Sequence, residues 1–467
     1  MFQTTINGTA VRFDAALVAK YDRPGPRYTS YPTAPQWHAA IDAAGYAQIL
    51  AASNAVARPL SLYFHLPFCE SHCTFCGCNV IITKQKHVVE PYLADLEREV
   101  ALVAAQVDRR RAVVQLHWGG GTPTYLSCDQ IERVWQAIAS HFTIAADAEV
   151  GVEVDPRVTT AEQLRVLRRL GFNRVSLGVQ DIHPEVQAAV NRLQPLELTA
   201  ALIRTARALG YASVNTDLIY GLPYQTPDSF QETVAAVLAL QPDRVACYNF
   251  AYVPWLKAQQ RAIDPATLPA AETKLTTWCQ TIRQFADADY DLIGFDHFAR
   301  PDDEMARARR SGTLWRNFQG YTTKAGTDLL AFGITGIGDV DGHYLQNVKK
   351  LPEYRRAVQA GTFPLERACH LTRDDLMRRW VIRELLCNER VDANAVRLTW
   401  DTNFGDYFAA ALAALQEPIA DGLATWDGTI LAITPLGHLF ARNVAMCFDA
   451  YLPSEPATVS ARYSRTI

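Results

Sequence analysis

The chain has 467 residues, 49% hydrophobic and 20% charged, which suits one large globular domain plus a smaller one and excludes disordered and collagen-like classes. A formal net charge of −4 with interspersed signs offers no basic stripe for nucleic-acid phosphates, so no nucleic-acid partner is expected. Met1 to Lys20 lacks a charged region followed by a long apolar one, and no apolar run approaches the roughly 20 residues of a membrane helix, so a soluble cytoplasmic chain with no membrane partner is expected.

From Leu60 onward, short apolar or β-branched runs alternate with longer amphipathic segments, beginning with LSLYFHL and the helical stretch Pro91 to Gln106. Further strands are expected at Val113 to Trp118, Val150 to Val154, Arg174 to Leu177, Ser213 to Ile219 and Arg244 to Asn249. Helices are expected at Leu126 to Phe142, Ala161 to Leu170, Leu196 to Leu209 and Pro227 to Leu240. Gly171 and Gly210 end helices, and Pro156 and Pro223 close strand ends. Six such units predict an α/β protein with a barrel-like or open parallel sheet, and periodicity does not choose between the two.

After Glu272 the pattern loosens. Tyr290 to Phe298 is apolar, and Gly333 to Gly342 reads as a loop-rich closure of the main domain. From about Leu371 the chain is mostly helical, with helices at Arg373 to Asn388 and Phe404 to Gln416. A hairpin at Gly422 to Thr434 turns at Asp427-Gly428, giving a small winged-helix-like arrangement without a basic face.

The densest chemistry is Cys69-x-x-x-Cys73-x-x-Cys76-x-Cys78, directly after the first strand. The other six cysteines (Cys128, Cys247, Cys279, Cys369, Cys387, Cys447) are scattered singly, as reduced thiols in a cytosolic chain would be. Spacing alone permits zinc, with Cys78 or His72 completing a tetrahedron. It also permits an iron–sulfur cluster on three thiolates with one iron open, which better suits a functional rim and is the favoured reading.

In parallel β/α sheets ligands bind beyond the carboxyl ends of the strands. There the sequence places the cysteines, Gly119-Gly120-Gly121-Thr122, Glu153 with Asp155, Gln180 with Asp181, and Asp217. Any one of these reads as a cap or a tight turn; their recurrence at equivalent positions points to a shared site.

Cys-x3-Cys-x2-Cys after a first strand, with Phe75 before the third cysteine, resembles the radical S-adenosylmethionine (SAM) enzymes. The motifs YFHLPFCESHCTFCGCN, HWGGGTPTYL, VEVDPR, FNRVSLGVQD, VNTDLIYGLPYQT, DHFARPDDE and NFQGYTT are together similar to the oxygen-independent coproporphyrinogen III oxidases, and the likeness runs from GPRYTSYPT to the tail RYSRTI.

That resemblance implies an incomplete TIM-like (β/α)6 barrel over residues 58–368, an N-terminal segment 1–57 packing over the active site, and a small, mostly helical, winged-helix-like C-terminal domain over 369–467. It implies a [4Fe–4S] cluster on Cys69, Cys73 and Cys76, with Cys78 not a ligand. By position, Tyr63, Phe75, Gly120, Gly121, Thr122, Glu153, Gln180, Arg192, Asp217, Ala251 and Ile337 would contact two SAM molecules, and no separate catalytic side chain is assigned.

The implied activity is that of a coproporphyrinogen dehydrogenase of haem biosynthesis, an oxidoreductase that decarboxylates two propionates of coproporphyrinogen III to vinyl groups, giving protoporphyrinogen IX. Its partners would be that substrate and an electron donor such as flavodoxin or ferredoxin, with a monomer as the family expectation. Arg27, Tyr28, Arg300, Arg316 and Lys324 are candidates for holding propionates and read equally as surface ion pairs. A haem-binding or haem-transfer protein and a radical SAM methyltransferase are the alternatives.

Overall fold

A computed structural model describes residues 1–452 and 463–466, so Arg462 and Ile467 of the tail motif RYSRTI lie outside the described residues. The chain forms two compact units, one of residues 37–217 and 326–371, the other of residues 1–36, 218–325 and 372–467.

The first unit is built on the expected alternation. Its strands are β1 (Leu60–Leu66), β2 (Ala112–Gly120), β3 (Thr143–Val154), β4 (Arg174–Gln180) and the start of β5 (Ser213–Tyr220), separated by α1 (Val89–Ala104), α2 (Cys128–His141), α3 (Ala161–Arg169) and α4 (Leu196–Ala208). Helices α2 and α3 start where the sequence supplies reciprocal caps, Ser127 with Gln130 and Thr160 with Gln163. In β1 every residue but Tyr63 is buried, the pattern of a parallel strand covered on both faces.

Four further strands complete this unit: β6 (Asp328–Phe332), β7 (Ile337–Val340), β8 (His343–Asn347) and β9 (Leu365–His370). The sheet runs β9-β8-β7-β6-β1-β2-β3-β4-β5. Strand β6 lies parallel to β1, and β7 to β9 follow antiparallel. The central sheet is therefore mostly parallel, with an antiparallel flank. The segment expected as a loop, Gly333 to Gly342, instead contains β7, because Gly338 lets the strand approach the Leu329 carbonyl more closely than a Cβ permits.

Parallel register sets the site. Tyr63 pairs with His117 and Leu66 with Gly120 across β1 and β2; His117 pairs with Gly151 across β2 and β3. Alternation puts Tyr63, His65, His117 and Glu153 on one face.

In the second unit, the strand Arg244–Asn249 pairs antiparallel with His297–Ala299, which pairs with Asp291–Ile293. The helix Arg373–Asn388 forms as expected, and the hairpin of Ala424–Trp426 and Ile430–Ile433 gains a third strand, Arg390–Asp392. The helix expected over 404–416 runs as Phe404–Tyr407, Ala409–Ala414 and Gln416–Ala420, interrupted first at Phe408, whose ring packs on Phe404 and Phe448. No helix of the described residues is long and apolar enough to cross a membrane.

Candidate active site

A cavity of roughly 770 Å³, open to solvent, lies at the carboxyl ends of β1 to β5. It brings together Cys69, Cys73, Cys76 and Cys78 with Phe75, Gly120, Gly121, Thr122, Glu153, Gln180, Arg192 and Asp217. Three predicted residues do not line it. Tyr63 stands one layer behind, its hydroxyl 3.1 Å from His65 Nδ1. Ile337 is buried in β7, and Ala251 belongs to the other unit, where its carbonyl accepts from Gln260 Nε2 at 3.0 Å.

The glycine run is shaped by close approach. Gly120 has φ +108°, and a Cβ there would strike the His65 ring at 2.5 Å; one on Gly121 would strike the Pro67 backbone at 2.5 Å. The Gly121 N–H donates to Leu66 O at 2.9 Å and the Thr122 N–H to Phe68 O at 2.8 Å, which ties this turn to the start of the cysteine loop. Thr122 Oγ1 then lies 3.5 Å from Cys69 Sγ.

All four cysteines are reduced, with no disulfide among the described residues. Among the described residues no three Cys, His, Asp or Glu side chains close on a single ion, so the thiols share a cavity and not a common point. Burial pushes the Cys69 thiol up to about 11, so its ionisation calls for a cation at this loop. Arg157 Nη2 at 3.5 Å and Arg192 Nη1 at 3.6 Å both point at Cys73 Sγ, supplying positive charge beside a thiolate.

These arginines are held by Asp155, 2.7 Å from Arg157 and 3.2 Å from Arg192. Burial works against the Asp155 charge, and the two guanidiniums outweigh it, leaving its carboxyl below the ordinary range. Arg192 donates Nη2 to Gly178 O at 2.9 Å, while its Nε is buried without a partner among the described residues. Gln180 Oε1 is likewise buried without a partner, on a residue with φ +69°.

Across the cavity His117 Nε2 lies 3.0 Å from Glu153 Oε1, and the Gly120 N–H donates to Glu153 Oε2 at 3.2 Å. Burial opposes charge on both side chains, but the pairing wins: Glu153 titrates below and His117 above its ordinary value. His65 is held neutral by burial, so its Nε2–H donates to Asn79 O at 2.9 Å and its Nδ1 accepts from Tyr63. Asp217 accepts from Ser176 Oγ at 3.1 Å and Asn215 Nδ2 at 2.8 Å.

His65, His117, Arg157 and Ser176 were not among the residues expected from sequence. The first two carried a readable signal, since they share the strand face of Tyr63 by period-two alternation. The donor set fits an iron–sulfur cluster with a polar ligand beside it: three clustered thiols, two guanidiniums, and buried polar atoms of Arg192 and Gln180 awaiting partners.

This parallel β/α fold with its thiol loop at the strand ends defines a radical SAM enzyme, and residues 63–237 match the Radical SAM superfamily. Residues 371–440 match the HemN C-terminal domain. The chain is 45% identical over 449 residues to the oxygen-independent coproporphyrinogen III oxidase of Synechocystis, covering 95% of this chain and 96% of that protein. To the Escherichia coli protein of the same name it is 47% identical over 442 residues, covering 95% and 96%. The solved structure of coproporphyrinogen III oxidase (HemN) from Escherichia coli, described as a radical SAM enzyme, superposes at 45% identity with a TM-score of 0.89 over 95% of this chain and all of that one. The chain belongs to the oxygen-independent coproporphyrinogen III oxidase family.

Proposed function

We propose that this protein converts coproporphyrinogen III to protoporphyrinogen IX without oxygen, turning two propionate side chains into vinyl groups, each with loss of carbon dioxide, one hydrogen atom to a SAM-derived radical and one electron to an acceptor. The observation that carries this reading is the whole-length identity of 45–48% to proteins named for that activity, joined to a cavity that gathers the three thiols of the motif. The oxidase names of these relatives favour it over haem transfer or methyl transfer.

Cys69, Cys73 and Cys76 would hold a [4Fe–4S] cluster, and Cys78, whose N–H donates to Cys76 Sγ at 3.4 Å, would remain a thiol. When bound, the cluster and SAM supply an electron and a 5′-deoxyadenosyl radical able to take hydrogen from a propionate β-carbon. The chain supplies placement and charge. Arg192 offers its unpartnered Nε to a carboxylate, while Glu153 and Asp217 offer carboxyl oxygens to an ammonium or ribose hydroxyls. Gly120 and Gly121 let the backbone come close to the ligand, and Thr122, Gln180 and Phe75 complete the wall. Neutral His65 holds the Tyr63 hydroxyl in place behind them.

Two SAM molecules, with Ala251 and Ile337 among their contacts, are part of the proposal. So are an incomplete (β/α)6 barrel, domain boundaries at 57/58 and 368/369, a cytoplasmic monomer, and reduction by flavodoxin or ferredoxin. Anaerobic reconstitution with iron and sulfide, then dithionite, SAM and coproporphyrinogen III, tests the core of it. Protoporphyrinogen IX with 5′-deoxyadenosine is expected; deoxyadenosine without vinyl product would sink the oxidase reading and keep the radical one.

A further inference from the structure

The unit of residues 1–36, 218–325 and 372–467 contains its own cavity, with about 690 Å³ of empty space open to solvent. Three cations line it, Arg27, Lys274 and Arg442, beside the aromatic side chains Tyr220 and Trp278. Among the described residues Asp296 is the one carboxylate on the lining, and it is already committed to His297 Nδ1 at 2.7 Å.

None of the three makes an ion pair among the described residues, and Asp296 and Asp22 act on them only at longer range. Arg442 is only 8% exposed, donates Nη2 to the carbonyls of Gly25 at 3.3 Å and Arg465 at 3.1 Å, and keeps Nε buried without a partner among the described residues. Arg27 donates Nη2 to Asn249 O at 2.7 Å and makes no ion pair among the described residues, feeling the Asp296 carboxylate only at longer range. The half-buried Lys274 ammonium makes neither an ion pair nor a hydrogen bond among the described residues.

Burying positive charge without a counter-charge is costly unless a ligand supplies it. Burial, followed by the neighbouring Arg27 charge, pulls Arg442 down to about 9, and the more distant Asp296 offsets only part of this. The residue positions expected for propionates divide here. Arg300 pairs with Asp302 at 3.5 Å, and Arg316 stacks on Phe295 and Tyr321, whereas Arg27 faces the cavity.

The aromatic wall narrows the ligand. Tyr220 and Trp278 stack at 5.2 Å and 9°, presenting a flat apolar surface next to the cations. Cations for the head and aromatics for the stem match a short alkyl carboxylate better than a strongly hydrated phosphate.

We propose that this cavity is a binding site for an alkyl carboxylate, held by Arg27, Lys274 and Arg442. Two sources carry that chemistry: a propionate arm of the tetrapyrrole substrate, and a free small carboxylate. The first source rests on the substrate reading given above, which wild-type turnover tests separately.

The test uses the full-length protein, with coproporphyrin III as a stable tetrapyrrole probe, its tetramethyl ester, and sodium propionate. Lys274→Met and Arg27→Gln are each expected to weaken coproporphyrin III binding by about tenfold, the size of one charge-assisted contact, with Lys274→Arg restoring it. The ester is expected to bind wild type and Lys274→Met alike. Lys274 makes no structural hydrogen bond, so its loss leaves the fold in place, and circular dichroism checks that. A site for a free carboxylate would instead show propionate binding that Lys274→Met abolishes while coproporphyrin III affinity stays unchanged. Unchanged affinity for both probes in both variants overturns the site, and does so even where wild-type turnover is normal.

Discussion

His117 and Glu153 face each other across neighbouring parallel strands, Nε2 to Oε1 at 3.0 Å, on the sheet face that also carries Tyr63. Each holds the other charged against the cost of burial, which makes Glu153 an ionised acceptor on the cavity wall. The signs of the two shifts differ. The lowered Glu153 contributes stability above the unfolded value of 4.5 and loses it as pH falls through its folded value. The raised His117 contributes below 6.5 and loses its share as pH rises through its folded value.

SAM affinity should therefore be greatest between those limits and fall on both sides. In His117→Gln the alkaline fall should vanish, and affinity near pH 6 should drop roughly tenfold, the size of one charge-assisted hydrogen bond. Equilibrium dialysis of SAM against pH for both proteins measures this; identical pH profiles would mean that the pair does not touch SAM binding.

The thiols make a sharper division. Cys69→Ser, Cys73→Ser and Cys76→Ser are each expected to lose most of the iron and the broad visible absorbance after anaerobic reconstitution, while Cys78→Ser keeps both. Iron and sulfide per chain decide the matter. Iron loss in Cys78→Ser with full loading in Cys69→Ser would reverse the ligand assignment, which the shared cavity alone leaves possible because Cys78 lines it too.

Much of this site was legible in the sequence because strands advertise themselves locally. LSLYFHL, the glycine run and the VEVDPR segment each read as a strand and its end, and β/α topology then places those ends on one rim. Register was not legible. That Tyr63 pairs with His117, and that His117 reaches Glu153, depends on how three strands slide past one another, which no segment encodes by itself. The same holds for β6, which lies beside β1 although the sequence between them spans most of the sheet. Ile337 shows the converse: named from family resemblance, it sits buried in an antiparallel strand that glycine content had disguised as loop.

The seating of β6 on β1 depends on a buried ion pair. Arg111 Nη2 donates to Asp328, the first residue of β6, and both side chains are almost wholly enclosed. Arg111 also ties in Arg58 O at 2.8 Å and Ser53 Oγ at 2.9 Å. Arg111→Met, which leaves the Asp328 charge behind, is expected to cost about 3–5 kcal/mol in urea unfolding. Arg111→Met with Asp328→Leu should recover part of that loss, because no unpaired charge remains. A double variant less stable than the single one would show that the contacts of the Asp328 carboxylate with the Asp341 N–H and with Arg58 matter more than its charge balance.

Glu99 offers the clearest pH signature outside the site. Its carboxylate is buried and accepts from the Gly333 N–H at 2.7 Å, Tyr354 Oη at 2.6 Å and Asn347 Nδ2 at 2.6 Å, joining α1 to the turn after β6. Burial nonetheless outweighs the three donors and pushes its carboxyl from 4.5 up to about 7. A raised acid contributes its stability below 4.5 and loses it as pH climbs through about 7, a change of roughly 3 kcal/mol at most. Glu99→Gln removes the titration but keeps one acceptor oxygen, so the stability of wild type relative to Glu99→Gln should decline between pH 4.5 and 7 and level off above. Urea midpoints of both proteins across that range measure the difference, and a difference that stays flat would mean that the three donors keep Glu99 ionised throughout. The consequence reaches the site by a short route, since the Tyr92 hydroxyl, packed against Tyr354 at 5.7 Å, donates to His65 O at 2.6 Å.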